Sequence, residues 1–410
     1  MTKQPEYDVV IAGGGMTGAC LAIALAGTDV RISIIEAVSP QAHDQPSYDD
    51  RGLALSISSQ RILQGLGIWK QVATSACPVQ HVHVSDQHHF GFVRLHAEIL
   101  HQTALGYVVI ARELGRILTE RIIKQKNIDF ICPASVENVD IGPDEVTVEL
   151  KQENQRSIIR GKLLVAADGT HSKIRDMLGI DTMIKDYGQA AIVSNVTPEK
   201  KHNNTAYERF TSQGPLALLP LTENRLALVF TVSNDQVDSC MSMDEKEFLL
   251  QLQKRFGRRL GNFQRLGSRK TYPMQLIESQ QQVLERVVIL GNSAHTIHPN
   301  GAQGFNLCLR DIAGLAEILI PVFQSGTDPG KKQILNQYLD LRAHDQKTVI
   351  HFTDSLASLF YNELPHRVFI RNTGMLLLDL INPCKQAFTR RAAGIHGLQP
   401  ALARGIPVCP

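Results

Sequence analysis

The chain has 410 residues, of which 43% are hydrophobic and 20% are charged, and its formal net charge is +2. This length allows two or three domains of ordinary size, and the nearly balanced charge gives no general case for binding nucleic acid. Seven cysteines without a C-x-x-C pair predict neither a disulfide framework nor a zinc knuckle, and favour the reducing cytoplasm. The apolar stretches are broken by glycines or by Glu317, so we predict neither a signal peptide nor a membrane-spanning helix.

The N-terminal segment predicts a β-α-β unit. Tyr7 to Ala12 has the pattern of a buried strand, MTGACLAIALAG that of a helix ending at Gly27, and Arg31 to Ile35 that of a second strand. Such a unit implies a parallel sheet with a right-handed crossover.

The turn between the first strand and the helix carries a dinucleotide-binding pattern. Gly13, Gly15 and Gly18 form G-x-G-x-x-G, in which the glycines allow a tight turn, a close approach to a pyrophosphate and close packing of helix on strand. Glu36 closes the next strand, where its carboxylate can accept hydrogen bonds from ribose hydroxyls. The pattern alone does not choose NAD over FAD.

Farther along the chain, SISSQRILQGLGIWKQV and RELGRILTERIIKQ have helical spacing, and KLLVAADG predicts a buried strand. From about Tyr187 to Tyr272, short strand-like runs predict an antiparallel sheet, with one helix in DEKEFLLQLQKRFG. RVVILGN again has the pattern of a parallel strand, and a long helical region follows.

We therefore predict an α/β fold with a Rossmann-like parallel sheet, an inserted antiparallel sheet and a helical C-terminal region. The predicted domains are a discontinuous nucleotide-binding domain (1–75, 100–182 and 273–345), a substrate domain (76–99 and 183–272) and a helical region (346–410).

Two later strands also end in loops suited to a ligand. VAADGTHSKIRDMLG places Asp168 and Gly169 after a buried strand, and LGNSAHTIHPNGAQGFNLCLRD places Gly301 and Gly304 between a strand and a helix. Three such loops on one sheet suit a ligand longer than a mononucleotide.

Together, G-x-G-x-x-G, D-G-x-x-S-x-x-R and G-N-x-A-H-x-x-H-P-x-x-x-Q-G-x-N resemble the class A flavoprotein aromatic hydroxylases over roughly Tyr7 to Asp354. The family usually has Asp where this chain has Asn292. DDRGLALS, HVSD and YERFTSQGPLALLPL further resemble the ring hydroxylases of ubiquinone biosynthesis, and most of all the 2-octaprenyl-6-methoxyphenol hydroxylase type.

The resemblance implies that FAD is the cofactor. The residues that it places at FAD are Gly13, Gly15, Gly18, Glu36, Arg51, Arg112, Asp168, Gly169, Asn292, Gly301, Gln303, Gly304 and Asn306. It places His298 and Pro299 against the flavin ring as catalytic residues, and the positive end of the helix that begins near Gln303 at the same ring. NAD(P)H would dock at the surface as co-substrate, since no second G-x-G-x-x-G is present. The flavin would then react with O₂, and its hydroperoxide would transfer one oxygen atom to a phenol ring.

Several residues have open alternatives. Arg209 and Phe210 would line the substrate site or simply pack the sheet, Arg51 could form a surface salt bridge, and Arg112 could cap a helix. His295 and His298 could tune the flavin, carry protons or be structural. The histidines of HVHVSDQHHF have too few acids and no cysteine near them, so we predict no metal site.

We predict an FAD-dependent NAD(P)H monooxygenase that hydroxylates a polyprenylated phenol in ubiquinone biosynthesis. The alternatives are the same chemistry at another ring carbon or on a soluble aromatic acid, and a flavin-binding scaffold for other ubiquinone-biosynthesis proteins. The C-terminal stretches MLLLDLINP and KQAFTRRAAG would form either an amphipathic surface for peripheral membrane or partner contact, or a helical cap on a cytoplasmic protein.

Overall fold

The computed structural model describes residues 6–40, 42, 50–153, 155–361, 364–397 and 399–407. Its strands are β1 (Tyr7–Ala12), β2 (Ile32–Ile35), β3 (Gly52–Ser56), β4 (Cys77–Val79), β5 (His81–Asp86), β6 (Phe92–His96), β7 (Gly106–Ile110), β8 (Ile128–Ile131), β9 (Ser135–Ile141), β10 (Val146–Gln152), β11 (Gln155–Ala166), β12 (Thr182–Pro198), β13 (Thr205–Thr211), β14 (Gly214–Pro220), β15 (Leu226–Ser233), β16 (Phe263–Leu266), β17 (Lys270–Ser279), β18 (Val283–Leu284), β19 (Val287–Ile289) and β20 (His295–Thr296). Its helices are α1 (Met16–Leu25), α2 (Ile57–Gly65), α3 (Trp69–Val72), α4 (Ala111–Ile123), α5 (Lys173–Met177), α6 (Val237–Ser242), α7 (Glu245–Phe256), α8 (Gly304–Gln324), α9 (Lys332–Tyr361), α10 (Pro365–Leu380) and α11 (Asn382–Ala392).

A parallel sheet with the strand order β19-β11-β1-β2-β8 forms the first layer. Ile11 of β1 lies opposite Val165 of β11 and Ile34 of β2, and all three side chains are fully buried. Helix α1 joins β1 to β2, so the predicted β-α-β unit is confirmed. This helix has no polar face, because it packs into one core with α4, α8 and the sheet.

A mainly antiparallel sheet with the order β20-β17-β12-β15-β14-β13-β5-β6 forms the second layer. Its neighbouring strands pair antiparallel, except that β13 and β5 pair in parallel. Helix α7 covers one of its faces, where Phe248 and Leu252 pack with Phe230 of β15. That helix begins with a capping box between Asp244 and Glu247, which satisfies backbone donors at its first turn. β5 and β6 join this sheet through β13, and on this basis we propose the domain division given above.

The C-terminal helices are attached to the antiparallel sheet by buried polar contacts. Arg371 and Asn372 of α10 both donate to the carboxylate of Asp86 on β5, each at 2.8 Å. Asp379 of the same helix accepts from the backbone N–H of Arg94 on β6 at 2.8 Å. Charged groups tolerate burial only with such partners, so these contacts fix the position of α10.

The predicted α/β fold, with its parallel sheet, inserted antiparallel sheet and helical C-terminal region, is confirmed. A short sheet of β3, β7 and β4 was not predicted. In the described part of the chain, no helix combines the length and the apolar character needed to cross a membrane.

Candidate active site

A cavity of about 1340 Å³ lies between the two sheets. At one end its wall consists of the loops that follow β1, β2, β11 and β19, and at the other end of strands β12 to β15 and helices α9 to α11. It exceeds the roughly 300–1,000 Å³ of common small-molecule pockets. The carboxyl ends of parallel strands are also where open α/β sheets bind their ligands.

The loop after β1 allows an anion to approach closely. Gly13 has a φ of +107°, and a Cβ atom there would lie 2.2 Å from the carbonyl oxygen of Ala167. A Cβ atom on Gly18 would lie 2.0 Å from the carbonyl oxygen of Gly13, so α1 can start against the strand only with glycine there. Gly15 lines the cavity as the N-cap of α1, and no side chain caps this helix. The first N–H groups of α1 are therefore available to a ligand at the positive end of the helix.

Glu36 lines the cavity at the end of β2. Its Oε2 accepts from the N–H of Gly14 at 2.8 Å and its Oε1 from the N–H of Val38 at 2.9 Å. Burial raises the pKa of Glu36, while these N–H groups act in the opposite direction. A carboxylate has about four acceptor sites, and a third backbone N–H, that of Ala37, also bonds to Glu36, so Glu36 retains capacity for a ribose hydroxyl.

The loop after β11, which carries Asp168 and Gly169 and is called the second loop here, is bonded directly to the loop after β19, which leads to α8 and is called the third loop. Ser293 donates through Oγ to Asp168 at 3.0 Å and accepts from the N–H of Gly169 at 2.9 Å. Arg175 is buried and donates to the carbonyl oxygens of Ser293, at 3.0 Å, and Thr170, at 3.2 Å. Asp168 and Gly169 both line the cavity, and these bonds fix them relative to the third loop.

The third loop presents the start of α8 to the cavity. Gly301 turns the chain with a φ of +66°, and Gly304 begins a helix of 21 residues whose first turn no side chain caps. Gln303 donates to the carbonyl oxygen of Gly301 at 3.0 Å. All three line the cavity, as does Asn292, whose Oδ1 accepts a weak hydrogen bond from Cys308 at 3.6 Å. The positive end of α8 therefore faces the ligand space.

Asn306 uses all of its polar capacity within the protein. Its Oδ1 accepts from the N–H of Ser56 at 2.8 Å and from the hydroxyl of Ser59 at 2.6 Å. Its Nδ2 donates to the carbonyl oxygens of Ala54 at 2.8 Å and Ala302 at 2.7 Å. Although Asn306 borders the cavity, its side chain positions the third loop against β3 and α2.

The two residues expected to be catalytic take different positions. Pro299 lines the cavity, whereas His298 is 1% exposed and lies outside the lining that the described residues form. His298 accepts at Nδ1 from the N–H of Asn300 at 3.2 Å, and its ring contacts Tyr187 edge-on at 4.7 Å. Burial lowers the pKa of His298 to about 4. A neutral His298 therefore supports the loop on which Pro299 is placed.

A buried ionic network anchors the third loop from behind. His295 contacts Asp311 of α8 at 2.6 Å, and Arg342 of α9 donates to the same carboxylate at 2.8 Å. Burial raises the pKa of Asp311, but the charges and hydrogen bonds of Arg342 and His295 together outweigh this effect, and the pKa is lowered. Sequence spacing does not reveal this network, because its members come from separate elements.

The two expected substrate residues point to opposite faces of β13. Phe210 lines the cavity and stacks on Phe360 of α9, with 3.4 Å between ring centroids. Arg209 points to the other face, where its Nε donates to the carbonyl oxygen of Arg255 at 2.9 Å. The expectation that Arg209 faces the substrate was wrong, because side chains alternate along a strand.

The two arginines expected at the cofactor also differ. Arg51 lines the cavity, with its guanidinium carbon 5.3 Å from the ring centre of Tyr272. Arg112 forms an exposed salt bridge of 2.8 Å with Asp50 and is not among the described residues that line the cavity. Direct contact between Arg112 and FAD therefore has no support in this geometry.

The histidine-rich segment forms a pair across strands. His81 of β5 and His96 of β6 contact each other through their Nδ1 atoms at 2.9 Å. Within the described ranges, no group of three or more His, Cys, Asp or Glu residues is arranged to hold a metal ion.

The sequence profile of the family described as FAD binding domain matches residues 6–353. The chain belongs to this FAD-binding family. It is 33% identical over 404 residues to ubiquinone hydroxylase UbiL of Rhodospirillum rubrum, covering 98% of this chain and 93% of that protein. It is 29% identical over 398 residues to 3-demethoxyubiquinol 3-hydroxylase of Escherichia coli, covering 96% of this chain and all of that protein (100%).

A solved structure has the same fold. The crystal structure of p-nitrophenol 4-monooxygenase PnpA from Pseudomonas putida superposes with a TM-score of 0.80 at 18% identity, covering 97% of this chain and 100% of that chain. The resemblance to the flavoprotein hydroxylases is thus confirmed, and this flavoprotein is an FAD-dependent aromatic hydroxylase.

FAD fits the groups that the cavity offers. The uncapped starts of α1 and α8 suit the pyrophosphate and the flavin ring, and Glu36 suits the ribose. The side-chain amide of Asn300 also borders the cavity, is buried and has no hydrogen-bond partner in the described part of the chain. A buried polar group in that state is expected where a ligand supplies the partner.

Proposed function

We propose that this flavoprotein hydroxylates the ring of a polyprenylated phenol in ubiquinone biosynthesis, with NAD(P)H and O₂ as co-substrates. The names of the two relatives above support the pathway. The observation that carries the proposal is the apolar wall of the cavity beyond the flavin loops.

This apolar wall, formed by β5, β6, β12 to β15, β17 and α9 to α11, carries few charged side chains. Among the described residues of these elements that line the cavity, the charged ones are Glu208 and Arg371. Arg371 is already bound to the carboxylate of Asp86. A soluble aromatic acid would need a cation for its carboxylate, so the wall favours an uncharged phenol over an acid.

We infer that the cavity opens to the surface between α9 and α10. Leu359 and Ile370 both line it and are 40% and 64% exposed, and Phe369 beside them is 64% exposed. An exposed group of large apolar side chains often marks a site of contact with lipid or a partner. We propose that the prenyl tail leaves the cavity here and that this surface rests on the membrane when substrate is taken up.

The bound flavin would supply activation of O₂ and delivery of one oxygen atom to the ring. The protein's part is to hold the cofactor at the starts of α1 and α8, where the N-terminal dipoles favour negative charge. The apolar wall would orient the phenol and exclude water from the reacting ring.

Steady-state oxidation of NADH and of NADPH by the FAD-loaded protein tests this function. We expect 2-prenylphenol to stimulate oxidation and to yield a ring-hydroxylated product, and 4-hydroxybenzoate to give neither. Stimulation by 4-hydroxybenzoate alone would favour the soluble-acid alternative. No stimulation by any phenol would favour the flavin-binding scaffold. Quinone intermediates in a deletion strain would identify the ring carbon.

A further inference from the structure

Glu208 is a carboxyl group in the otherwise apolar wall of the cavity. It lies in the middle of β13, and strand alternation directs it into the cavity together with Ala206 and Phe210. A glutamate is unfavourable both in a strand interior and in an apolar environment. Neither strand pairing nor packing therefore explains why this position carries an acid.

The neighbours of Glu208 across the sheet are all aliphatic. Strand register places one residue from each of β6, β5, β13, β14, β15 and β12 in a single row, and each of them lines the cavity. The row consists of Val93, Val84, Glu208, Ala217, Val229 and Val193. Glu208 thus presents the row's polar group to whatever occupies the cavity.

The carboxyl of Glu208 has no partner within the described protein. It forms no hydrogen bond or ion pair with a described residue, and burial alone raises its pKa to about 7. Arg371, the other charged residue of this wall, is bound to Asp86. An unpartnered carboxyl in such surroundings destabilises the fold, which suggests that its partner is a ligand.

We propose that Glu208 recognises the phenol: its carboxylate accepts the hydrogen bond of the ring hydroxyl and takes up that proton while the ring is hydroxylated. This inference rests on the function proposed above. It makes Glu208 a catalytic residue, in contact with the substrate, that the sequence motifs do not single out.

The proton transfer changes the reactivity of the ring. The O–H bond of the phenol breaks, its electron pair stays on the ring oxygen, and a new O–H bond forms on Glu208. The ring becomes more electron-rich and attacks an electrophilic oxygen more readily. The ring carbon that gains the new oxygen then loses its own hydrogen as a proton, which is taken up by the oxygen that stays on the donor. The proton on Glu208 returns to the ring oxygen as the product phenol forms, so Glu208 is regenerated. A pKa near neutrality suits a group that must both take up and release a proton.

The test uses the FAD-loaded enzyme and two probes that differ at one position, 2-prenylphenol and its methyl ether 2-prenylanisole. The ether has the same ring and chain but no hydrogen to donate. The variants are Glu208→Gln, which cannot take up the proton, and Glu208→Leu, which matches the aliphatic row. Glu149→Gln is the control, since Glu149 lies in β10 and outside the described cavity lining. Changes in flavin absorbance give the affinity for each probe, and NADH oxidation gives kcat.

We expect the parent to bind the phenol about ten-fold more tightly than the ether, a difference of about 1.4 kcal/mol. Glu208→Leu should bind FAD as the parent does and bind both probes equally. Both Glu208 variants should lower kcat about 100-fold, the usual scale for loss of a general base, while the control retains the parental value.

Three results would overturn the inference. In the first, the phenol stimulates the parent, but Glu208→Leu keeps both the preference for the phenol over the ether and the parental kcat. The role of Glu208 would then be refuted, and the proposed function would stand. In the second, both Glu208 variants lose FAD, which would assign the residue to the cofactor. In the third, the parent is not stimulated by the phenol, and the proposed function fails together with the inference.

Discussion

Asn306 and Asn292 both border the cavity, but we predict different effects when each is replaced by alanine: Asn306→Ala should lower the stability of the protein, and Asn292→Ala should weaken FAD binding. Asn306→Ala deprives Ser56, Ser59, Ala54 and Ala302 of hydrogen bonds of 2.6 to 2.8 Å. A buried polar group left without a partner costs about 1–3 kcal/mol. Because the adjoining cavity can supply water to part of the site, we expect a total loss of about 3 kcal/mol in the free energy of unfolding of the protein without FAD.

Asn292→Ala is the matched control. The Asn292 side chain is exposed to the cavity and has one weak described contact, with Cys308. Its loss should change the free energy of unfolding by no more than about 0.5 kcal/mol, as for most surface substitutions. It should nevertheless weaken FAD binding, if Asn292 donates or accepts a hydrogen bond at the cofactor.

Urea unfolding of both variants without FAD, and titration of each with FAD, separate the two roles. Asn306→Ala should unfold at lower urea concentration before any FAD is added, and Asn292→Ala should differ from the parent mainly in FAD affinity. If Asn306→Ala without FAD is as stable as the parent, the side chain does not hold the third loop, and our account of this loop is wrong.

Two further predictions concern acid stability and the apolar surface. Burial raises the pKa of Asp345, but the guanidinium groups of Arg310 and Arg342 outweigh it and hold the pKa at about 2. Because the pKa of Asp345 is depressed in the folded state, its ionised carboxylate stabilises the fold by about 2 kcal/mol. This stabilisation is present above pH 4 and is lost as pH falls from 4 to 2. Asp345→Asn should therefore lower thermal stability at pH 7 but not at pH 2, and an equal loss at both would contradict this. Phe369→Ser should slow turnover of long-tailed phenols supplied in vesicles but not of 2-prenylphenol, whereas Ile158→Ser, at an exposed position of β11, should affect neither; equal losses for short and long tails would show that Phe369 is structural.

The sequence predicted those parts of the fold that depend on local pattern. β1, α1 and β2 were identified because an apolar strand, a glycine turn and an apolar helix follow one another within a short segment. The sheet formed by β3, β7 and β4 was missed because its strands pair over long sequence separations, which local pattern does not report. The same reason hid the network in which His295 and Arg342 each bond to Asp311.

Within the candidate site, motifs identified loops better than they identified side-chain roles. The motif correctly identified Gly13 and Gly18 as positions that require glycine, because a Cβ atom at either would collide with a backbone carbonyl oxygen. The face to which a side chain points depends on strand register, and this is why Arg209 was chosen where Glu208 faces the cavity. Asn306 is likewise part of a family motif, yet its side-chain polar atoms form their hydrogen bonds within the protein.

The measurement that tests the central claim most directly is isotope incorporation during turnover. FAD-loaded protein would be given NADH or NADPH, ¹⁸O₂ and 2-prenylphenol, and the products examined by mass spectrometry. We predict a hydroxylated phenol that carries one ¹⁸O atom for each NAD(P)H consumed. If NAD(P)H is consumed and only hydrogen peroxide forms, or if the new hydroxyl oxygen comes from water, this protein is not the ring hydroxylase that we propose.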